Sequence, residues 1–493
     1  MTVLPSGTEK LIFEISKPGR RGVELPEIDV PVRELADLLP ADLRRSHLDM
    51  PQVSEPEVIR HYTNLSRMNY SIDSGFYPLG SCTMKYNPKV NEQIASLPGF
   101  GRVHPYTPEA NVQGALEVLS EMQDILSEIA GMDATSLQPA AGAHGELLGL
   151  ILIKAYHEDH DQGHRDTILV PDAAHGTNPA SAARCGYKTQ SIRSNSRGRV
   201  DMEDLRKHIN GSIAGLMLTN PNTLGLFEDN ISEICELVHQ AGGLVYCDGA
   251  NMNALVGRAR PGDMGFDVMH FNLHKTFSSP HGGGGPGSGP VSVKRILAEY
   301  LPGPYVKKID TEFQWAESGS KSVGKIHGYY GSFLCILRAY AFILYYGHER
   351  LAQIAENAVL NANYIRVALQ DVYDVAYNEI CMHECVFSAK RQQREHNVRA
   401  LDIVKRLMDY GYHPPTIYFP LIVPEALMIE PTESESKETL DAFVDAMLRI
   451  AEEITATPEL VTSAPHDTPV RKLDEASAAR NPCLSWSLDG SSC

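Results

Sequence analysis

The chain has 493 residues, a formal net charge of −18, 43% hydrophobic residues and 22% charged residues. That much apolar material supports a large folded core and excludes wholesale disorder. The acidic balance argues against a nucleic-acid surface, which needs clustered Lys and Arg, but leaves room for a local basic pocket.

The opening stretch, MTVLPSGTEKLIFEISKPGRR, lacks the apolar core of an export signal and carries Glu9 and Glu14. Residues 1–75 are rich in Pro and charge and read as an N-terminal arm with short helices, of the kind that packs across a partner or another domain. Regular structure begins near residue 112. Leu116, Leu119, Met122, Ile125 and Ile129 recur at helical spacing, and Gly131 ends the run. ATSLQ (134–138) reads as a strand, and PAAGAHGE then opens an apolar helix, LLGLILIKAYHE. TILVPD (167–172) is a strand, and HGTNPASAAR opens the next helix. AGLMLTNP (214–221) is a strand, ISEICELVHQAG (231–242) a helix, and GLVYCDGAN (243–251) and DVMHFNLHK (267–275) are strands. Apolar strands alternating with helices imply an α/β fold whose parallel or mixed sheet is covered on both faces, with ligands bound at the carboxyl ends of the strands.

From about residue 326 the helices lengthen. SFLCILRAYAFILYYG (332–347) is shorter than the roughly 20 residues a membrane span needs and holds Arg338 in its middle, so it reads as a buried helix. Pro-rich strands and an amphipathic helix near the end complete a smaller α+β C-terminal domain. The expected division is an arm (1–75), a large α/β domain (76–325) and a small domain (326–493). Nine cysteines, spread from Cys82 to Cys493, form no disulfide framework and read as free thiols in a reducing, cytoplasmic compartment. Cys381 and Cys385 flank His383, but no second ligand pair at zinc-like spacing accompanies them, so no metal is expected.

The chemically unusual residues follow strands. Lys275, in FNLHKTF, is costly at the end of an apolar strand; burial there lowers an amine's pKa and frees it as a Schiff-base nucleophile. Asp248 ends LVYCD and could face a cationic ring nitrogen, although Asp before Gly also suits a turn or helix cap. The turn around Gly142, Ala143 and His144 lets backbone N–H groups and a helix dipole meet a phosphate. His175 could stack on a cofactor ring or move a proton, and Asn220 could donate to a phenolate oxygen. Gly282, Gly284 and Gly287 formally match a dinucleotide fingerprint, yet the run precedes the apolar segment PVSVK instead of opening a helix. It reads as a loop that approaches a ligand or another chain closely.

A phosphate turn, a His, an Asn, an Asp and a Lys in that order resemble the large domain of fold type I (aspartate-aminotransferase-like) pyridoxal-phosphate enzymes. PLGSCTMKYNPK (78–89), AHGTNPASA (174–182), TNPNTLGLFE (219–228), DGANMNAL (248–255), NLHKTFSSPHGGGGPGSGP (272–290) and HPPTIYFPLIVPEALMIEPTE (413–433) narrow this. They resemble the P-protein of the glycine cleavage system, and the likeness extends from KPGRRGVELP (17–26) to PVRKLDEASAARNP (469–482). That family occurs as one long chain or two half-length chains, and this one is similar to the Lys-bearing half. The resemblance implies pyridoxal 5'-phosphate held as a covalent aldimine at Lys275, with Asp248 on the pyridine nitrogen. Ala250 and His175 are then expected on opposite ring faces, Asn220 near the ring oxygen, and Gly142, Ala143 and His144 at the phosphate. Ala141 departs from relatives that carry Ser in this turn, which leaves more of the phosphate to backbone N–H groups, to His144 or to the loop after Lys275.

The implied reaction is decarboxylation of glycine, an oxidoreductase step that passes an aminomethyl group to the lipoyl arm of H-protein without NAD. The implied partner is the other half-length chain (subunit 1), in a heterotetramer of two chains each. The rivals are another fold type I lyase or decarboxylase, a cysteine desulfurase, for which Cys82 is the cysteine to weigh, and a non-catalytic scaffold.

Overall fold

The structure is a computed structural model that describes residues 8–45, 48, 50–283 and 287–484. It divides into two compact units. One combines the described residues up to Ser74 with those from Ser463 onward; the other is Gly75–Thr462.

In the first unit the longest element is the helix Glu55–Met68. Ser54 starts it: the Ser54 N–H donates to Glu57 Oε2 at 2.9 Å, the capping-box arrangement, and Arg20 pairs with the same Glu57 side chain. Val23, Leu25, Ile28, Val30 and Val32 are all more than half exposed.

The second unit is built on a seven-stranded sheet. Its strands are β1 (Ala134–Ser136), β2 (Thr167–Pro171), β3 (Lys188–Ile192), β4 (Ile213–Thr219), β5 (Leu244–Gly249), β6 (Val268–Phe271) and β7 (Val291–Val293). The spatial order is β1-β7-β6-β5-β4-β2-β3. Only β7 runs against the others, pairing antiparallel with both β1 and β6. The central strands β4, β5 and β6 are buried almost throughout, which is why they read as continuous apolar runs. One face packs against the helices Gln113–Ala130 and Ile231–Gln240, the other against Gly142–Asp159. Gly131, at φ 67°, closes the first of these in the left-handed cap expected there.

The helix Gly142–Asp159 lies unusually close to the sheet. A Cβ on Gly149 would stand 2.3 Å from Tyr246 Cε2, and one on Gly145 would stand 2.8 Å from the Gly289 carbonyl oxygen. These glycines let the helix start at the carboxyl ends of the strands.

Beyond the sheet, β8 (Tyr305–Ile309) and β9 (Glu312–Ala316) form a hairpin. The helix Phe333–Leu369 then runs from the main core, through Ile336, Phe342 and Ile354, to a second core, through Ala362, Ile365 and Leu369. Gly347, at φ 67°, kinks it. Arg338 is the charge inside the oily run, and it donates to both carboxylate oxygens of Glu92 at 2.7 and 2.9 Å. The second core lies under a sheet of β10 (Asp374–Val375), β11 (Cys385–Ser388), β12 (Thr416–Ile417) and β13 (Ala426–Ile429), covered by the helix Lys437–Ala456.

Elements without a counterpart in the sequence reading include β3, the helix Met202–His208 and the β8–β9 hairpin. β3 is an edge strand, KTQSI, with only Ile192 buried, so it lacks an apolar run. Seven cysteines are free thiols as read, whereas Cys483 is disulfide-bonded.

Glu379 joins the strand-edge loop after β3 to the segment before β11. Arg197 donates to its two oxygens at 2.8 and 3.1 Å, and Arg199 donates at 2.7 Å. These bonds, that from Arg197 first, bring the carboxyl from its ordinary 4.5 down to about 2. A depressed acid stabilises the fold above its unfolded pKa and loses that contribution as pH falls through the folded value. Glu379→Gln is therefore expected to lower the urea midpoint by a constant amount above about pH 5. The gap should close as pH approaches 2, measured by urea titration across that range.

Candidate active site

Register alone aligns three side chains at the cavity. Across the parallel strands Thr219 pairs with Asp248, and Asp248 with His270. All three residues line one cavity of about 360 Å³ at the carboxyl ends of the strands. Lys275, His175, Ala250, Gly142 and Ala143 share the lining, as do Ser81, Cys82, Asn272, His383 and Glu384. A larger cavity, about 620 Å³, lies between the helix Gln113–Ala130 and the β8–β9 hairpin and holds none of the predicted residues.

Lys275 sits in a chain of tight turns after β6. Its N–H donates to Asn272 O, and the Ser278 N–H donates to its carbonyl, each at 3.0 Å. Neighbours pin the turn: Lys85 Nζ donates to Thr276 O at 2.7 Å, and Thr276 Oγ1 accepts from Met252 N at 2.9 Å. Lys85 is itself buried and paired with Glu433.

Asp248 is 6% exposed. Its Oδ2 accepts from Asn178 Nδ2 at 3.0 Å and its Oδ1 from Ala250 N at 3.2 Å. His270 Nε2 stands 3.6 Å from Oδ1. Burial by itself would push this carboxyl up, but His270, the Asn178 bond, Lys275 and the Ala250 N–H together outweigh it and hold it below its usual range. Tyr246 fixes the His270 ring, its hydroxyl lying 2.5 Å from Nδ1. Burial raises the Tyr246 hydroxyl far above its usual pKa, so it keeps its proton. Behind Asn178, the buried Glu146 accepts from Asn178 Nδ2 at 3.2 Å, Thr177 Oγ1 at 2.7 Å and Ser181 Oγ at 3.1 Å.

The helix Gly142–Asp159 starts at Ala141 with no side-chain cap. Its first N–H groups and its dipole therefore face the cavity unsatisfied, an anion site. A Cβ on Gly142 would stand 2.2 Å from Asn272 Oδ1, and one on Gly289 would stand 2.1 Å from Ala141 O. The loop from Gly287 to Gly289 thus backs the anion turn, while Gly284 lies outside the described residues. Five buried polar atoms of lining residues, Thr219 Oγ1, Asn272 Oδ1, His274 Nδ1, His281 Nε2 and His383 Nδ1, have no partner among the described residues. A phosphorylated, polar, planar carbonyl compound fits this set: an amine for the carbonyl, a carboxylate for a ring cation, an anion turn and spare polar groups.

His175 is exposed at the mouth, its Nδ1 2.8 Å from Thr177 Oγ1. Two predicted residues lie outside the lining. Asn220 is buried with its Oδ1 accepting from Glu228 N at 2.9 Å, and His144 Nδ1 accepts from Ala140 N at 3.2 Å. Asn178, Glu146, His270, Thr219 and Glu384 were not singled out from the sequence. Asn178 and His270 lie in AHGTNPASA and VMHFNLHK, beside residues that were, but nothing local distinguishes a supporting Asn or His from an ordinary turn or core residue.

The fold is shared with solved proteins. A crystal structure of glycine decarboxylase (P-protein) of the glycine cleavage system, in inhibitor-bound form, superposes with a TM-score of 0.71 at 20% identity, over 85% of this chain and 95% of that one. The cysteine desulfurase CsdA from Escherichia coli superposes with a TM-score of 0.58 at 18% identity, over 77% and 95%. The sheet, with Lys275 after one strand and Asp248 on the next, is that of the fold type I class of pyridoxal-phosphate enzymes. Residues 30–310 match the family described as glycine cleavage system P-protein, and residues 354–472 match the glycine dehydrogenase C-terminal domain. A probable glycine dehydrogenase (decarboxylating) subunit 2 from Caldanaerobacter subterraneus is 58% identical over 97% of this chain and 98% of its own length. One from Bacillus velezensis is 56% identical over 98% and 99%. The chain belongs to the glycine cleavage system P-protein family.

Asn178→Ala removes the Asn178 donor from a buried carboxylate. It is expected to cost about 1–3 kcal/mol of stability, read as a lower denaturant midpoint at unchanged slope.

Proposed function

We propose that this chain is the lysine-bearing subunit of a two-subunit glycine dehydrogenase (decarboxylating) of the glycine cleavage system, with pyridoxal 5'-phosphate at Lys275. The observation that carries this is the meeting of Lys275, Asp248 and an uncapped helix N-terminus in one cavity. Backbone N–H groups of Gly142, Ala143 and His144 would hold the phosphate, and Ala250 and His175 would lie beside the ring. Asn220 acts by fixing the loop after β4. Residues 76–325 form the cofactor-binding domain, and the chain from 326 supplies the smaller one.

When bound, the cofactor supplies the electron sink for the pair released as glycine loses CO₂. Lys275 would hold the cofactor through its side-chain amine. Asp248 would favour a protonated ring nitrogen, and Asn178 and the His270–Tyr246 pair keep Asp248 aligned. The aminomethyl unit then passes to the lipoyl arm of H-protein. The exposed apolar run Val23 to Val32 is the arm's contact for the second chain, subunit 1, in a heterotetramer of two chains each. We place the protein in the cytoplasm. No helix among the described residues is long and apolar enough to cross a membrane.

The desulfurase reading needs a nucleophilic thiolate. Cys82 lines the cavity, but burial pushes its thiol up, more than Lys275 offsets, which keeps it protonated. Glycine-dependent exchange of labelled bicarbonate, with subunit 1 and lipoylated H-protein added, separates the readings; a desulfurase or a scaffold gives none.

Borohydride reduction of the loaded chain is expected to fix the cofactor on the peptide containing Lys275, and Lys275→Ala to abolish both labelling and turnover. Label on any other lysine overturns the assignment. Asp248→Asn keeps the shape but removes the charge, so decarboxylation should fall by several kcal/mol of barrier. A rate within about tenfold of wild type, ~1.4 kcal/mol, contradicts the ring-nitrogen role.

A further inference from the structure

Two buried carboxyls meet at the wall of the cavity. Glu384 immediately precedes β11 and Glu430 immediately follows β13, and the pairing of Cys385 with Ile429 brings them together. They are 2% and 0% exposed. One oxygen of each and a ring nitrogen of His383 all lie within 4.8 Å of one another. Three donors converge on Glu430: Thr83 N at 2.9 Å, Thr83 Oγ1 at 2.6 Å and Asn251 Nδ2 at 2.8 Å. Glu384 receives one, from Ser81 N at 2.9 Å.

His383 does not supply the missing cation. Its Nε2 is 3.8 Å from Glu384, its Nδ1 has no partner among the described residues, and burial holds the imidazole neutral. Burial first, and Glu430 second, push the Glu384 carboxyl well above its usual range, against the Ser81 N–H and Lys275. Such a pair demands a proton or a metal ion. Glu384 lines the cavity beside Lys275, Cys82 and His281, and Glu430 lies behind it.

We propose that Glu384 is a general acid of this site, donating its proton to the sulfur that departs when the acceptor's disulfide is opened. The electron pair left on the glycine α-carbon by loss of CO₂ forms the new C–S bond. The S–S bond breaks, and its pair goes to the departing sulfur, which takes the proton of Glu384 and becomes a thiol. The acceptor disulfide is thereby reduced, and water returns the proton to Glu384. The groups that face Glu384 and set its titration are Glu430, His383, Lys275 and Cys82. The inference rests on the glycine dehydrogenase reading above.

The test combines a spectrum with a rate. In the full chain, infrared spectra at neutral pH should show a protonated-carboxyl band that shifts in D₂O, disappears in Glu384→Gln and persists in Glu384→Asp. In Glu430→Gln its titration midpoint should move to lower pH. In the complex with subunit 1 and lipoylated H-protein, Glu384→Gln should slow aminomethyl transfer about a hundredfold, the scale of a general acid. Glycine binding, followed by the cofactor's absorbance, should stay within about threefold, and Glu384→Asp should recover at least about tenfold. Absence of the band, a wild-type transfer rate in Glu384→Gln, or one equivalent of Zn²⁺ or Mn²⁺ whose removal makes the band appear would overturn the proposal. A chain that takes up no pyridoxal phosphate, or whose absorbance ignores glycine, overturns the glycine dehydrogenase reading instead; the infrared result is independent of both.

Discussion

A carboxylate with almost no water has to be held by its neighbours, and Asp248 imposes that demand on half the molecule. It ends the central strand β5, where the register sets Thr219 on one side and His270 on the other. Each support needs its own support. His270 is oriented by Tyr246, and Asn178 is oriented by Glu146, which also collects Thr177 and Ser181. Glu146 stands at the start of the second turn of the helix Gly142–Asp159, so the helix that presents the anion turn also anchors the carboxylate network. Its approach to the sheet depends on Gly145 and Gly149, where no side chain fits. The anion turn and the buried carboxylate of the site are thus set by one rigid contact.

The lysine is held differently. Lys275 rides on turns, and the turns are tied to the segment after Gly75 through Lys85, whose ammonium reaches the Thr276 carbonyl, and Asn87, whose amide reaches Ser278 at 3.1 Å. A reactive amine on a loop gains precision only from such ties. PLGSCTMKYNPK is therefore part of the site even though it precedes the sheet, supplying the Lys85 anchor and the Ser81 and Cys82 wall.

The sequence was most legible where burial is two-sided. β4, β5 and β6 are apolar runs because both their faces are covered, and the residues that break the pattern at their ends, Asp248 and Lys275, stand out against it. Legibility failed where the signal is relational. β3 is polar because it is an edge. Asn220 sits after a strand like the others, yet its amide turns to Glu228. Asn178 and His270 matter only because of what they touch. Glu384 and Glu430 are 46 positions apart, and only the β11–β13 pairing brings them to one wall. The Cys381–His383–Cys385 pattern looked like a fragment of a metal site; in the fold His383 instead joins two carboxyls, with both cysteines buried in the core.

One cavity holds two carboxyls driven in opposite directions. Both are fully enclosed, so desolvation raises each. The outcome is decided by partners: Asp248 has an imidazole, an amide, a backbone N–H and Lys275 nearby, whereas Glu384 has one N–H and Lys275 set against a second carboxyl. Separation of this sort gives two acids in one site different tasks at the same pH. A group held ionised can keep a cation charged throughout a reaction, and a group held protonated can give its proton at one step. Decarboxylation with transfer to a disulfide needs both, a standing charge while CO₂ leaves and a single proton when sulfur departs. The two carboxyls lie on different sheets, so their environments respond to different packing contacts and can be tuned independently.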